Sequence, residues 1–241
     1  MTNKMTYLAA VVIMLLRGSV VFGASATAYS VATRGGSSSA SAVAHGNADA
    51  TAMAGATNGG RAIADSVAYG NRRGYAGSDA VAIADRGLAI STSRADARGY
   101  LGGQALATSE SVAGAIGGVA ISNSDAQARG VFGGVARSHS YSTALSRWGI
   151  ATSDSRSVSH GSFGGRATSV SDSLADTFGG VARSRVISDG RAGFFASADA
   201  DGLGVSVSGP GRFSNTDVRA ISRSTWFGRG QSRSAAVEVR P

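Results

Sequence analysis

Residue types able to carry chemistry are sparse and scattered in this chain. Its three histidines are His45, His139 and His160, and it has no cysteine. A structural zinc site needs four Cys or His ligands at close spacing, so none is expected, and each histidine reads as a surface residue on an outward strand face. Asp199 and Asp201 stand two apart, which puts both on one face of a strand. Acid–base catalysis requires two carboxylates in different environments, and nothing here separates these two. A calcium site built from Asp199, Asp201 and Gly202 falls short of the six to eight oxygens that ion takes. Serines are abundant, but no G-x-S-x-G elbow activates one. The glycine-rich turns lack the Gly-Lys-Ser/Thr and following helix of a phosphate loop. The expectation is therefore a non-enzyme, with no catalytic residue, metal, cofactor or small-molecule substrate.

One segment does concentrate a single chemistry. Across 212–241, Arg212, Arg219, Arg223, Arg229, Arg233 and Arg240 face only Asp217 and Glu238, with Trp226 and Phe227 between them. An Arg/aromatic surface of this kind suits an anionic polysaccharide, a membrane surface or a nucleic acid. The alternative is a cap that ends a stack of repeats, since terminal repeats are atypical. The formal net charge is +8, nearly all of it from arginine. Aspartates are interspersed through the rest of the chain, so its surface reads as mixed rather than as a basic stripe.

The elements that would position these residues follow from composition and period. Gly, Ala and Ser make up about half of the 241 residues, while Leu, Ile, Val and Phe come to about a fifth. That is too little for a layered Leu/Phe core and close to the level of disordered chains. Periodicity decides against disorder. Diglycines recur at Gly102-Gly103, Gly117-Gly118, Gly133-Gly134, Gly164-Gly165 and Gly179-Gly180, and Trp148-Gly149 fills the missing place. Between them small residues occupy every second position, as in Ala105, Ala107, Ser109, Ser111, Ala113 and Ala115. This is the strand period. Segments of 13 residues, joined alternately by two and three residues, give a repeat of 31, with one lapse where Val186 takes a small-residue place. Such regularity marks a repeat protein.

An all-β fold follows, with strands of about 13 residues linked by short glycine turns. Sheets whose facing side chains are only Ala, Ser and Gly can approach well inside the usual ~10 Å separation, and buried hydroxyls then need partners within the stack. Two arrangements fit the arithmetic. A flat two-sheet β-solenoid, each 31-residue coil giving one strand to each sheet, buries the small faces within one chain and is preferred. An antiparallel cross-β meander, with a hairpin at every connector, is the alternative. Charge pairing does not choose between them. The meander opposes Glu110 to Asp125, and the solenoid stacks Arg98, Arg129, His160 and Arg191.

Lys4, the apolar run from Tyr7 to Leu16, and Ala24-Ser25-Ala26 have the order of a secretory signal peptide. The expected organisation is a leader over 1–26, an irregular Ala/Ser/Gly-rich lead-in over 27–57, β repeats over 58–211, and a basic cap or tail over 212–241. The repeats resemble the cross-β egg-stalk silks of lacewings in their Ser/Ala alternation and glycine spacing. Ser66-Val67-Ala68-Tyr69-Gly70 and Asp79-Ala80-Val81-Ala82-Ile83-Ala84 more weakly resemble head repeats of bacterial trimeric autotransporter adhesins. The small interior is also similar to that of flat ice-binding solenoids. The silk resemblance implies an extracellular structural protein that self-associates through sheet faces or edges. The other two imply a secreted or surface-bound binding module.

Overall fold

The computed structural model describes residues 24–33, 35–46, 48–70, 75–99, 104–132, 135–195, 197–208, 213–224 and 229–239. Among these residues fifteen strands follow one another: β1 (Ala24–Ala32), β2 (Ser37–His45), β3 (Ala48–Ala56), β4 (Arg61–Gly70), β5 (Tyr75–Asp85), β6 (Leu88–Gly99), β7 (Gln104–Ile116), β8 (Val119–Gly130), β9 (Val135–Ser146), β10 (Ile150–Gly161), β11 (Arg166–Thr177), β12 (Val181–Ala192), β13 (Ser197–Ser208), β14 (Phe213–Ser224) and β15 (Arg229–Val239). Odd-numbered strands form an eight-stranded sheet, here sheet A, and even-numbered strands a seven-stranded sheet B. Each strand pairs in parallel with the strand two places along the chain, as β7 does with β9 and β10 with β12. Parallel pairing of alternate strands makes this the two-sheet β-solenoid and removes the meander, whose neighbours would be antiparallel and consecutive.

The coil is not constant along the stack. Ala24 pairs with Ala48, 24 residues on; Ala48 pairs with Ala76, 28 on; Tyr75 pairs with Leu106, 31 on. From there the step stays at 31 through Arg166 and Ser197, then becomes 32 between Ser197 and Arg229. The stack widens at one edge only. At the edge of the two-residue turns, Ala56, Ala84 and Ala115 stay in line. At the opposite edge β2 stops at His45 beside Tyr69, whereas β6 runs on to Gly99 beside Gly130. Each widening adds about two residues per strand, which preserves the alternation of inward and outward side chains.

Residues 27–57, expected to be irregular, instead form most of β1 and all of β2 and β3. Their 9-residue strands belong to the narrow coils, so the 13-residue frame does not apply to them. Of the leader expected over 1–26, residues 24–26 open β1 and the remainder lies outside the described residues. At the other end β14 and β15 continue both sheets in register, so the described part of 212–241 is built as further repeat.

The interior consists of small side chains from both sheets. Its apolar part is almost wholly alanine, and among the described residues Val186, 0% exposed, is the one fully buried large aliphatic side chain. Three serine zigzags cross between the sheets. One runs through Ser66, Ser78, Ser93, Ser109, Ser124, Ser140, Ser155 and Ser171, each hydroxyl bonded to a serine hydroxyl or carbonyl of the previous member. A second links Ser91, Ser111, Ser122, Ser142, Ser153, Ser173 and Ser184. The third joins Ser138, Ser157, Ser169 and Ser188. A hydroxyl on one sheet can reach a carbonyl of the other only if the backbones lie far closer than in an ordinary ~10 Å sandwich.

Glycine at the two-residue edge is required by this stacking. Val119 N–H donates to the Gly87 carbonyl and Ile150 N–H to that of Gly118. A Cβ on Gly118 would sit 1.9 Å from the Gly87 oxygen, which no side chain can do. The wider edge is turned by phenylalanines in the left-handed region, Phe132, Phe163 and Phe195, with φ of 55°, 51° and 54°. The rings of Phe132 and Phe163 stack at 5.3 Å.

Candidate interaction faces

With the interior filled, what the fold presents to a partner is the outward row of each sheet. The expected mixed surface is corrected here, because successive strands go to opposite sheets and the charges divide with them. Outward positions of the described sheet A strands carry eight carboxylates (Asp49, Asp79, Asp85, Glu110, Asp172, Asp176, Asp199, Asp201) against four arginines (Arg137, Arg166, Arg229, Arg233). Those of sheet B carry ten arginines (Arg61, Arg94, Arg98, Arg129, Arg156, Arg183, Arg185, Arg191, Arg219, Arg223) against six aspartates (Asp65, Asp96, Asp125, Asp154, Asp189, Asp217). One face is net acidic by four charges and the other net basic by four.

The acidic face is crowded. Asp79 and Glu110 are direct register partners, and Asp49 lies one strand away across Gly77. Partial burial, then the Glu110 and Asp49 charges, raise the Asp79 carboxyl above its ordinary range. Burial, followed by the Asp49 charge and hydrogen bond, raises the Tyr75 phenol. Asp172 is raised mainly by burial, partly offset by His139 and by a backbone hydrogen bond from Leu203.

On the basic face Arg98, Arg129, His160, Arg191 and Arg223 form one register column through β6, β8, β10, β12 and β14. Neighbours in such a column are ~4.8 Å apart. Burial first, then Arg129 and Arg191, lower the His160 imidazole. Aspartates two residues away on the same strand answer some of the charge: Arg98 with Asp96 at 3.3 Å, Arg191 with Asp189 at 2.6 Å.

The basic C-terminal cluster does not come together as one surface. Arg219 and Arg223 lie on the outward face of β14 in sheet B, while Arg229 and Arg233 lie on that of β15 in sheet A. Arg219 faces Asp217 at 3.7 Å. Arg212, Trp226 and Phe227 lie outside the described residues. What sequence reasoning missed is that Arg223 completes the column of Arg98: the step from Arg191 to Arg223 is 32 residues, so a strict 31-residue frame aligns Arg191 with Ser222 instead.

The remaining candidates are surface groups. His45 stacks on Tyr69 at 5.0 Å. His139 projects from sheet A, its imidazole lowered by burial and by Arg137. Asp199 pairs with Arg166 at 3.3 Å, with Asp201 beside it on the same face. No group of three or more His, Cys, Asp or Glu that could hold a metal occurs among the described residues.

Aliphatic side chains gather toward the two-residue edge on both faces. On sheet A, Ile83, Val112, Ile116, Leu145, Phe178 and Val207 line an open groove of about 620 Å³. On sheet B, Leu88, Val119, Ile150 and Val181 are consecutive register partners. No helix of the described residues is long and apolar enough to cross a membrane. No protein-family model, curated protein or solved structure matches this chain.

Proposed function

We propose that this chain is a secreted structural repeat protein, a silk-like building unit of an extracellular fibre, coat or matrix. The observation that carries the reading is the filled interior: two parallel sheets zipped by serine and alanine leave only outer faces and strand edges for interaction. Parallel ladders with serine cross-links suit a stiff element, and β1 and β15 each have a single hydrogen-bonded neighbour among the described strands. An unpaired strand edge is a template for further pairing, so copies extend the ladder end to end. The leader-like start at Lys4 and Tyr7 to Leu16 supports export.

The experiment is electron microscopy with fibre diffraction on purified protein across a concentration series. Filaments with strands across the axis, a ~4.8 Å repeat along it and an intersheet spacing well below ~10 Å are expected. Particles that stay single at every concentration overturn the reading.

The column from Arg98 to Arg223 favours a second reading, a surface-binding module in which the basic face holds an anionic polysaccharide. Single particles retained on a sulfated polysaccharide support, and released by salt, are its signature.

A further inference from the structure

We infer that the acidic outer face of sheet A is the docking surface for the basic outer face of sheet B on a second copy of this chain, so that copies stack face to face. The inference rests on the structural reading above and deepens it by naming the lateral contact.

Charge selects this pairing. A contact between two sheet A faces sets a net acidic surface against itself, and two sheet B faces do the same with arginine, while A on B brings net charges of four and opposite sign together. Like-charge juxtaposition costs several kcal/mol and opposite patches steer encounter. The apolar residues agree. Displacing a second copy perpendicular to the sheets, without rotation, keeps its two-residue edge on the same side. The aliphatic half of sheet A, around Ile83 and Leu145, then meets the aliphatic half of sheet B, around Val119 and Ile150. The carboxylates of Asp79 and Glu110 are brought over the half of sheet B that carries Arg94 and Arg156. Ile83 and Ile150 are 59% and 43% exposed in the single chain, so both have surface to lose.

The area suffices. Strands of 9 to 13 residues in an eight-stranded sheet span on the order of 1,300 Å² at ~3.3 Å per residue and ~4.8 Å per strand. A stable interface buries about 800 Å² per partner. The contact uses a different patch on each copy, so it is heterologous and leaves a free A face and a free B face for the next copy. Stacking therefore continues sideways.

The test uses two charge-reversed full-length variants: Asp79→Lys/Glu110→Lys/Asp172→Lys on sheet A, and Arg94→Glu/Arg156→Glu/Arg219→Glu on sheet B. Association is followed by analytical ultracentrifugation at low and high salt, beside electron microscopy. The unaltered protein is expected to associate at low salt and to disperse as salt screens the faces. Each variant alone is expected to associate about tenfold more weakly or less, because its two faces now share a sign. An equimolar mixture is expected to restore association, each reversed face finding its complement, which a merely misfolded variant cannot do. A mixture that stays dispersed, or variants that associate like the unaltered protein, overturns the inference. Single-width filaments indifferent to both variants reject face docking while leaving the fibre reading intact. Restored lateral association without any filament upholds docking and removes the fibre. A basic face that retains sulfated polysaccharide while the protein shows no self-association also overturns it.

Discussion

Ser155 on β10 donates its hydroxyl to the carbonyl of Ser140 on β9 at 2.7 Å, with the two hydroxyl oxygens 3.0 Å apart. This contact spans the two sheets, and Ser171 continues it by donating to the Ser155 oxygen at 2.9 Å. Ser155→Ala removes one donor and leaves Ser171 without that acceptor in a fully buried position. A loss of about 1–3 kcal/mol is expected from the unmet hydroxyl, read as a shift in the urea midpoint. Ser155→Val adds bulk to the same layer, and overpacking a filled core costs a further ~1–3 kcal/mol, so valine should be worse than alanine despite its apolarity. Equal stability of the two variants would argue that the sheets have room to separate.

The glycine ladder gives a contrast between two positions. A Cβ at Gly118 would lie 1.9 Å from the Gly87 carbonyl oxygen, whereas a Cβ at Gly114 meets nothing within 4 Å. Gly118→Ala should therefore displace the turn and cost more than ~3 kcal/mol, beyond ordinary single substitutions. Gly114→Ala, on an outward strand position, should be neutral or stabilising by up to ~1 kcal/mol, because alanine restricts the unfolded chain. Thermal denaturation of both variants decides it, and a benign Gly118→Ala would contradict the close stacking of the turns.

The contrast between the regular coils and their exceptions shows what was legible in the sequence. The segment Gln104 to Ile116, bounded by diglycines, is strand β7 to the residue, because alternation and turn glycine are both local signals. Parallel pairing follows from a physical argument, since only a solenoid buries the small face within one chain. Residues 27–57 escape that frame because β1 to β3 alternate correctly but pair 24 to 28 residues apart, and a frame fitted to the wide coils does not reach them. The charge division was hidden for another reason. Neighbours in sequence such as Arg223 and Arg229 end on opposite faces, so a linear tally of charge averages over two surfaces on opposite sides of the chain.

Val186, the lapse in the alternation, is explained by its neighbours across the core. A Cβ on Gly202 would approach the Val186 Cγ1 to 3.0 Å and the Val218 Cγ1 to 3.2 Å, so glycine makes room for valine where serine zigzags end. Val186→Ser should leave a void and cost about 1–3 kcal/mol. Gly202→Ser should overpack at similar cost. The double substitution should cost less than the two combined, with a coupling of about 1 kcal/mol expected between residues in contact. A double-mutant cycle by chemical denaturation measures this, and strict additivity would mean that the two residues do not share volume.

Stability should fall on mild acidification. Burial and neighbouring arginines hold the His139 and His160 imidazoles below the ordinary 6.5, so at intermediate pH the unfolded chain binds more protons than the folded one. Their contribution is full above pH 6.5 and is lost as pH drops through 6.5 toward the lowered folded values. His160→Gln should flatten that part of the profile. Asp79 acts with the opposite sign: its raised carboxyl protonates first in the folded state, so stability is regained as pH falls from the folded value toward 3.8. Unfolding midpoints at half-unit pH steps should show the decline begin below neutrality, with Asp79→Asn reducing the acid-side recovery, to which the raised Asp154 and Asp172 carboxyls also contribute. A flat profile between pH 7 and 5 would contradict the partial burial of His160 beside Arg129 and Arg191.

The corner phenylalanines combine an unfavourable backbone with a favourable contact, and the two can be separated at Phe163. Its φ of 51° lies in the left-handed region, which costs a side chain other than glycine roughly 1–2 kcal/mol. Its ring stacks on Phe132 at 5.3 Å and 12°, a pair worth about 0.5–1.5 kcal/mol beyond area burial. Phe163→Ala keeps the strained backbone and loses the stack, so it should be the least stable form. Phe163→Gly loses the stack but relieves the backbone, so it should come within about 1 kcal/mol of the parent. Phe163→Tyr keeps both terms and should be neutral. Melting temperatures in the order tyrosine and parent highest, glycine next and alanine lowest are expected. Should glycine and alanine melt together, the left-handed turn would not be what the chain adopts there, and the wide edge would have to be turned by another route.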